Sequence, residues 1–211
     1  MKKYLVIGNP IEHSLSPLLH NFWLKKYGIN AIYEKQLVEK NDIEKIISDM
    51  RASKIEGINV TVPFKKAVIP FLDQLSDTAK ETESVNTIFK KQNKLVGDNT
   101  DVYGFSEAIK LTNFNLTNKK VLILGAGGVV PSIVLALKSM ETSEITLSNR
   151  TKKKADDLKK NFPFFFKIAK IFFKNSSFTI RLFLCFFFGQ GSGNKIYITS
   201  KRSFLNLLIN F

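Results

Sequence analysis

The segment 119–140, "KKVLILGAGGVVPSIVLALKSM", limits the possible folds more than any other part of the chain. An apolar run ends directly in glycines at positions 125, 127 and 128, and an apolar segment with Pro131 near its start follows. A strand, a tight turn and a helix in this order form the first part of a βαβ unit, in which the strands are parallel. The segment therefore predicts an α/β fold.

The remaining segments alternate between strand-like and helix-like patterns, which is typical of α/β proteins. The pattern predicts strands at 4–8, 31–38, 58–62, 120–124 and 144–150, and helices at 16–28, 41–53, 63–72, 101–111, 129–140 and 151–162. Ser16 is the expected N-cap of the first helix, and Asn41 with Glu44 the expected capping box of the second. Residues 84–101 are predicted to form a hairpin that turns near 92–93.

Composition divides the chain near residue 162. All 18 acidic residues lie in 1–161, whereas 162–211 contains seven Lys/Arg, no acid and 13 of the 19 phenylalanines. Neither a strand period nor a helix period persists in this tail, and we interpret it as an anomalous segment produced by a shift of reading frame near codon 163. Its basic, aromatic composition would suit a nucleic acid or a membrane surface. Because it has no amphipathic pattern or recognisable motif, we expect neither partner.

The single cysteine, Cys185, excludes an intrachain disulfide and fits a reducing compartment. The N-terminal segment has an apolar run of only four residues before Gly8, which is not typical of a signal peptide. The longest uncharged stretch of the tail, 182–194, is shorter than the about 20 apolar residues that span a bilayer. We expect a soluble, cytoplasmic protein, and we predict no metal site.

The turn that comprises Gly125, Ala126, Gly127, Gly128 and Val129 has the context of a dinucleotide fingerprint. Glycines there permit a tight turn and a close approach of the backbone to a pyrophosphate, and the N-terminus of the next helix faces the anion. A plain tight turn is the alternative. This alternative is favoured by Val130, because a small side chain at this position normally permits close helix–strand packing.

The strand after this turn ends in "SNRTKKK", where an NAD-selective site would have an acid for the ribose 2′-hydroxyl. Arg150 can instead form a bidentate contact with a 2′-phosphate. Asn149 and Thr151 can donate to the same phosphate, and Lys154 adds positive charge. The pattern predicts NADP as the cofactor. The alternative is that Thr151 only caps the helix and the lysines form its solvated face.

Two adjacent lysines, Lys65 and Lys66, follow the third predicted strand and Pro63. In a helix that starts at Pro63, the helical period directs Lys65 toward apolar neighbours and Lys66 toward solvent. Lys65 is therefore a candidate for acid–base chemistry. Its candidate partner is Asp101, because the predicted hairpin brings Asn86 and Asp101 to the same end. The alternatives are a surface lysine pair and an Asp101 that only caps the next helix.

Five motifs occur in order along the chain: "GNPIEHSLSPLLHN", "GINVTVPFKK", "SVNTI…GDNTDVYGF", "GAGG" and "SNRT". By these motifs the chain resembles the shikimate dehydrogenase family from residue 1 to about residue 161. The resemblance implies reversible, NADPH-dependent reduction of 3-dehydroshikimate to shikimate in aromatic amino-acid biosynthesis. It implies a mixed α/β substrate-binding and catalytic domain at 1–101 and an incomplete Rossmann-like NADP-binding domain at 102–161, followed by the tail 162–211.

The resemblance also implies roles for individual residues. Lys65 matches the catalytic lysine that exchanges a proton with the reacting C3 oxygen, and Asp101 matches its carboxylate partner. Ser14 and Ser16 match the pair that binds the substrate carboxylate. The groups around the ring hydroxyls correspond to Asn59, Thr61 and Asn86. The pyrophosphate turn corresponds to Gly125–Val129, and the adenosine phosphate site to Asn149, Arg150, Thr151 and Lys154.

Two segments depart from the family pattern. Glu83 and Ser84 stand where family members have Gly-Ala, and the tail lacks the late helix that brings a glutamine to the substrate, a role that we do not transfer to Gln190. Loss of the family's later strands is expected to expose one side of the nucleotide-binding sheet, beside an aggregation-prone window at 182–188. We therefore expect impaired activity.

The departures leave alternatives open. One is a non-catalytic, shikimate-binding fragment, and another is a quinate/shikimate dehydrogenase variant. The expected partner is a small-molecule substrate, shikimate or 3-dehydroshikimate, and a homodimer is left open as an assembly.

Overall fold

The structure, a computed structural model, describes residues 1–162, 166–168, 184–188 and 197–199. The chain divides into two compact units, Met1–Val102 and Tyr103–Phe211. Gln190 and the first two residues of the aggregation-prone window lie outside the described residues. Within the described part of the chain, no helix is long and apolar enough to cross a membrane.

The first unit contains a six-stranded mixed sheet. Its elements are β1 (Lys2–Gly8), α1 (Ser16–Lys26), β2 (Ala31–Leu37), α2 (Ile43–Arg51), β3 (Gly57–Val60), β4 (Gln74–Leu75), α3 (Asp77–Thr82), β5 (Thr87–Lys91) and β6 (Lys94–Asp98). The strand order is β2-β1-β3-β5-β6-β4, with β1 parallel to β2 and β3, and β5 antiparallel to β3. Because β3 and β5 are antiparallel, the end of β3 lies beside the start of β5.

Helical spacing of apolar residues explains the packing of α2. The helix buries four side chains on one face: Ile43, Ile46, Ile47 and Met50. They belong to one buried cluster with side chains of β1, β3, β5 and β6. Each fully buried side chain of this size contributes roughly 1.5–3 kcal/mol, so this face attaches α2 to the sheet.

The predicted helix at 63–72 is wrong. Residues 62–68 form consecutive turns, followed by a 3-10 helix at Ile69–Phe71. In an α-helix the Lys65 carbonyl would accept from the N–H of Ile69, but it accepts from the N–H of Val85 at 2.8 Å. Pro70 also lacks an N–H, and its ring would clash with the carbonyl four residues earlier.

The predicted start of α1 is also corrected. Ser16 is the first helical residue and Leu15 is the N-cap, without a side-chain cap. Leu15 already has helical dihedral angles, with φ −92° and ψ 0°, so the helical conformation begins one residue earlier than predicted. Gly28, with φ +63°, follows the helix end as expected for a terminator.

The capping box near α2 lies two residues before its predicted position. It joins Glu39 and Asp42 around a 3-10 turn at Lys40–Asp42, and α2 itself begins at Ile43. The sequence pattern did not distinguish this extra turn from the helix.

The hairpin prediction is confirmed. Gln92 and Asn93 have φ values of 50° and 61°, as in the two-residue turns that connect hairpin strands. The N–H of Asn86 donates to the Asp98 carbonyl at 3.0 Å, so Asn86 lies opposite 98–99 as predicted. The elements β4 and α3 were not predicted, because the polar segment 73–83 has too few apolar residues to show a period.

The helix α4 (Asp101–Lys110) leads into the second unit. The later elements are β7 (Lys120–Leu124), α5 (Val130–Ser139), β8 (Glu144–Ser148), α6 (Lys152–Asn161), β9 (Phe166–Ile168), β10 (Leu184–Phe188) and β11 (Tyr197–Thr199). The sheet order is β11-β10-β7-β8-β9, in which β7, β8 and β9 are parallel. The predicted α/β fold class is confirmed.

The expectation that one side of this sheet is open is corrected. β10 pairs antiparallel with β7, and β11 pairs antiparallel with β10. An unpaired strand edge presents free N–H and C=O groups, and the segment 184–188 satisfies those of β7.

Candidate active site

Lys65 and Lys66 differ sharply in exposure. The Lys65 side chain is 13% exposed and forms an ion pair with Asp101, whereas the Lys66 side chain is 76% exposed and pairs with Glu83. The predicted directions of the two side chains are therefore confirmed although the helix is not, because the consecutive turns at 62–68 keep a nearly helical spacing. The bond between the Lys65 carbonyl and the Val85 N–H holds the backbone of this segment against the start of β5.

Asp101 opens α4, and its two carboxylate oxygens have different partners. One oxygen pairs with the Lys65 ammonium, and the other accepts from Nδ2 of Asn86 at 2.9 Å. Its backbone N–H donates to Oδ1 of Asn99 at 3.1 Å. Asp101 thus lies in the first turn of α4, and its carboxylate is committed to the lysine and the amide.

Asn86 connects the strand ends that surround this pair. Its carbonyl accepts from the N–H of Val60 at 2.8 Å, and its Oδ1 accepts from the N–H of Thr100 at 2.9 Å. The side-chain amide is therefore fixed between the start of β5 and the start of α4. This fixes the direction of its bond to Asp101.

Asn59, in β3, extends the network across the sheet. Its Nδ2 donates to the Asn86 carbonyl at 3.3 Å and to Oγ1 of Thr87 at 3.1 Å. Its Oδ1 accepts from the hydroxyl of Tyr33 at 2.7 Å. Tyr33 was missed by the sequence analysis, because a tyrosine within a strand is typical of core packing.

Burial raises the pKa of Tyr33, and a side-chain hydrogen bond with Ser16 opposes this rise. Ser16 is therefore close to the Tyr33 hydroxyl. Oγ of Ser14 accepts from the N–H of Ser16 at 3.3 Å, so both serines lie at the start of α1. A chain of hydrogen bonds thus extends from Tyr33 through Asn59 and Asn86 to Asp101 and Lys65.

Thr61 lies directly after β3, where its N–H donates to the carbonyl of Ile7 at 2.9 Å. Gly8 permits this close approach of β1, because a Cβ on Gly8 would come within 2.5 Å of the Thr61 methyl group. Thr61 is half-buried at the same strand end as Asn59.

The second unit contains the glycine turn. Gly125 has φ +108°, which favours glycine, and its N–H donates to the Ser148 carbonyl at 2.7 Å. A Cβ on Gly128 would meet no heavy atom within 4 Å, so space remains beside the turn. Pro131 lies in the first turn of α5, as predicted, and that turn has no acidic residue.

Asn149 joins this turn to the loop after β8. Its Oδ1 accepts from the N–H of Ala126 at 3.1 Å, and its Nδ2 donates to the Thr151 carbonyl at 2.8 Å. Thr151 occupies the N-cap position of α6 without a side-chain cap bond. Arg150 and Lys154 are exposed. The two predicted nucleotide-binding segments thus lie together at the carboxyl ends of β7 and β8.

Two family models match the chain. The shikimate dehydrogenase substrate binding domain matches residues 6–88, and shikimate / quinate 5-dehydrogenase matches residues 107–173. The NADP(+) shikimate dehydrogenase of Pelagibacter ubique is 59% identical over 162 residues, which are 77% of this chain and 61% of the relative. The chain belongs to the shikimate dehydrogenase family. The family match continues to residue 173, beyond the limit near residue 161 that the motifs indicated.

Solved structures of shikimate dehydrogenases have the same fold. The enzyme from Aquifex aeolicus matches with a TM-score of 0.75 and 39% identity, covering 81% of this chain and 63% of that structure. The enzyme from Thermus thermophilus in complex with NADP(H) and shikimate matches with a TM-score of 0.71 and 33% identity, covering 79% and 63%. The chain spans only 59–61% of the length of the two curated relatives from Aquifex aeolicus and Pelagibacter ubique.

Proposed function

We propose that the chain catalyses the reversible, NADP-dependent reduction of 3-dehydroshikimate to shikimate. The Lys65–Asp101 pair is the observation that supports this function most strongly. Its amine and carboxylate are only 13% and 25% exposed, in a unit similar to the shikimate dehydrogenase substrate binding domain. An ammonium can give a proton to a carbonyl oxygen as hydride reaches the carbon, and the amine can take the proton back in the reverse direction.

In this proposal the first unit binds the substrate and moves the proton. Ser14 and Ser16 donate to the substrate carboxylate, while Asn59, Thr61 and Asn86 surround the ring hydroxyls. Lys65 exchanges a proton with the C3 oxygen. Asp101 stabilises the ammonium form, and its bond with Asn86 keeps the carboxylate in one orientation. The fold thus holds the proton donor in place before the substrate binds.

The residues of the second unit fit NADP. The turn Gly125–Val129 has open space at Gly128 and precedes a helix without acid in its first turn, which suits a pyrophosphate. Arg150, Thr151 and Lys154 would bind the adenosine 2′-phosphate, and Asn149 would hold the two loops together. The nicotinamide supplies hydride transfer when bound. Relatives named NADP(+) shikimate dehydrogenase support this cofactor.

A second candidate is a non-catalytic, shikimate-binding fragment. It is favoured by the match of residues 6–88 to a substrate binding domain, because this range contains Ser14, Ser16, Asn59, Thr61 and Asn86. The substrate-binding residues proposed for this chain all lie within 14–101. A quinate/shikimate dehydrogenase is a variant of the first proposal, supported by the name of the second family model.

The sequence supports three further proposals. The functional regions are 1–101 for substrate and 102–161 for NADP, and described segments of the tail 162–211 pair with β7 and β8 of the second unit. The single cysteine supports a cytoplasmic location, and a homodimer is also proposed.

The test compares Lys65→Ala with Lys66→Ala in the full chain. Oxidation of shikimate by NADP, with NAD and quinate in parallel, gives kcat, and calorimetry gives the shikimate affinity. We expect Lys65→Ala to lower kcat by about 100-fold or more, because general acid–base catalysis contributes at least that factor. We expect Lys66→Ala to change kcat by less than about twofold, because exposed ion pairs contribute little.

The outcomes separate the candidates. Turnover that survives in Lys65→Ala would refute the catalytic role of this lysine. Shikimate binding without turnover in the unaltered chain would select the binding fragment over the enzyme. The absence of both binding and turnover would refute both candidates.

A further inference from the structure

The proposed reaction assigns no role to Tyr33, although Tyr33 contacts the proposed substrate site. Tyr33 lies in β2, is 4% exposed, and donates its hydroxyl proton to Oδ1 of Asn59 at 2.7 Å. Buried tyrosine hydroxyls normally find a hydrogen-bond partner. Here that partner is one of the residues proposed to face the ring hydroxyls of the substrate.

The hydrogen bonds of Asn59 limit what it can offer to a ligand. Its Nδ2 group donates to the Asn86 carbonyl at 3.3 Å and to Oγ1 of Thr87 at 3.1 Å, which uses both amide protons. Its Oδ1 has two lone pairs, and Tyr33 occupies one. The remaining capacity is one acceptor position, which suits a hydroxyl that donates and repels a carboxylate or ketone oxygen.

The surrounding residues fix Tyr33 independently of any ligand. The side-chain amide of Asn21 accepts from the N–H of Tyr33 at 3.0 Å and donates to its carbonyl at 2.8 Å. The ring of His20 stacks on the Tyr33 ring at a centroid distance of 4.2 Å and an angle of 6°. Backbone and ring are therefore both held, so the hydroxyl stays at one position relative to β3.

We infer that Tyr33 is a positioning residue that holds Asn59 with its free Oδ1 lone pair available to a ring hydroxyl of the substrate. The inference rests on the proposed function and deepens it, because it assigns Asn59 the recognition of a donating hydroxyl. Without the Tyr33 hydroxyl the carboxamide loses one of the contacts that fix its orientation. We expect shikimate to bind about tenfold more weakly, as for the loss of one well-placed hydrogen bond.

The test is Tyr33→Phe in the full chain, which keeps the ring and its stacking. The matched control is Tyr4→Phe, because Tyr4 packs against the same small apolar cluster as Tyr33 and has no proposed role. Calorimetry should give an about tenfold loss of shikimate affinity for Tyr33→Phe and a change below about twofold for Tyr4→Phe. NADP affinity should be unaltered in both. In an Asn59→Ala background, Tyr33→Phe should have little further effect.

Each outcome decides the inference. If Tyr33→Phe and the unaltered chain bind shikimate with equal affinity, the positioning role of Tyr33 is overturned and the proposed function is not affected. The same holds if Tyr33→Phe lowers the shikimate affinity tenfold again in the Asn59→Ala background. A chain that binds no shikimate would refute the proposed function and this inference together. NMR of the Asn59 side-chain amide gives a ligand-free readout. In Tyr33→Phe the order parameter of the Asn59 Nδ2 group should fall, because the carboxamide as a whole can then rotate more freely about its Cβ–Cγ bond, and an unchanged order parameter would contradict the positioning role.

Discussion

At the scale of the residue, His20 links stability to pH. Burial beside the Tyr33 ring lowers the pKa of His20 below 6.5. Because the folded-state pKa lies below the unfolded one, the unfolded chain binds more protons as the pH falls. The stability that neutral His20 contributes is therefore present above the unfolded pKa and is lost as the pH falls through the folded pKa.

We expect the free energy of unfolding to fall between about pH 7 and pH 5. His20→Phe keeps an aromatic ring against Tyr33 and should reduce this pH dependence. The matched control is His13→Gln, because His13 is exposed, and it should follow the unaltered chain. Denaturant unfolding at several pH values measures the effect, and parallel curves for His20→Phe and the unaltered chain would contradict the assignment.

Ser84 is a second residue whose substitution should change the free energy of unfolding. It is 3% exposed, and its Oγ has no hydrogen-bond partner among the described residues. A buried hydroxyl without a partner costs about 1–3 kcal/mol, so Ser84→Ala should raise the free energy of unfolding by about 1 kcal/mol.

Ser76→Ala is the matched control, because it also removes one serine hydroxyl. Oγ of Ser76 caps α3 by accepting from the N–H of Ala79 at 3.1 Å and also donates to Asp98. Its removal should lower the free energy of unfolding by about 1 kcal/mol. Chemical denaturation that finds Ser84→Ala as destabilising as Ser76→Ala would show that Ser84 is paired.

At the scale of the element, the end of α3 contains a residue in an unfavourable conformation. Glu83 follows α3 with φ 47° and ψ 38°, the left-handed region, which costs a non-glycine residue about 1–2 kcal/mol. Glu83→Gly should therefore stabilise the protein by about 1 kcal/mol, despite the loss of the exposed pair with Lys66. Glu83→Ala removes the same carboxylate but keeps the Cβ, and thermal unfolding should show no gain. A gain in Glu83→Ala would attribute the effect to charge.

Elements with a clear period of their own were predictable, and elements defined by distant partners were not. The spacing of Ile43, Ile46 and Met50 predicts α2, and the apolar run before Gly125 predicts β7. The helix at 63–72 was predicted wrongly, because the contact that interrupts it comes from Val85, about twenty residues later in the chain. Local pattern therefore determines single elements better than the junctions between them.

The residues of the candidate site divide in the same way, into those predictable from local pattern and those that depend on distant contacts. Lys65 was predicted to be shielded because its neighbours in sequence decide its direction. Tyr33 was missed because its contact with Asn59 depends on the order of strands β2, β1 and β3. In that order Tyr4 pairs with Tyr33 on one side and with Gly57 on the other, which brings two distant segments to the same level of the sheet. Strand order is a long-range property that no local period encodes.

At the scale of the whole molecule, the chain consists of two compact units whose proposed ligands differ. A ligand stabilises the unit that binds it by RT ln(1 + [L]/Kd), or about 2.7 kcal/mol at one hundred times Kd. Local opening is then suppressed in that unit first. Hydrogen exchange in the full chain can therefore assign each ligand to its unit.

We expect shikimate to slow amide exchange within 57–65 and 84–101, and NADP to slow it within 125–130 and 148–154. Arg150→Ala should reduce the NADP effect, because the proposed bidentate contact with the 2′-phosphate would be lost, and should leave the shikimate effect unchanged. This variant serves as the control, since it alters one ligand site only. Protection by NADP within 57–65 alone, or protection by shikimate that disappears in Arg150→Ala, would contradict the division of ligands between the two units.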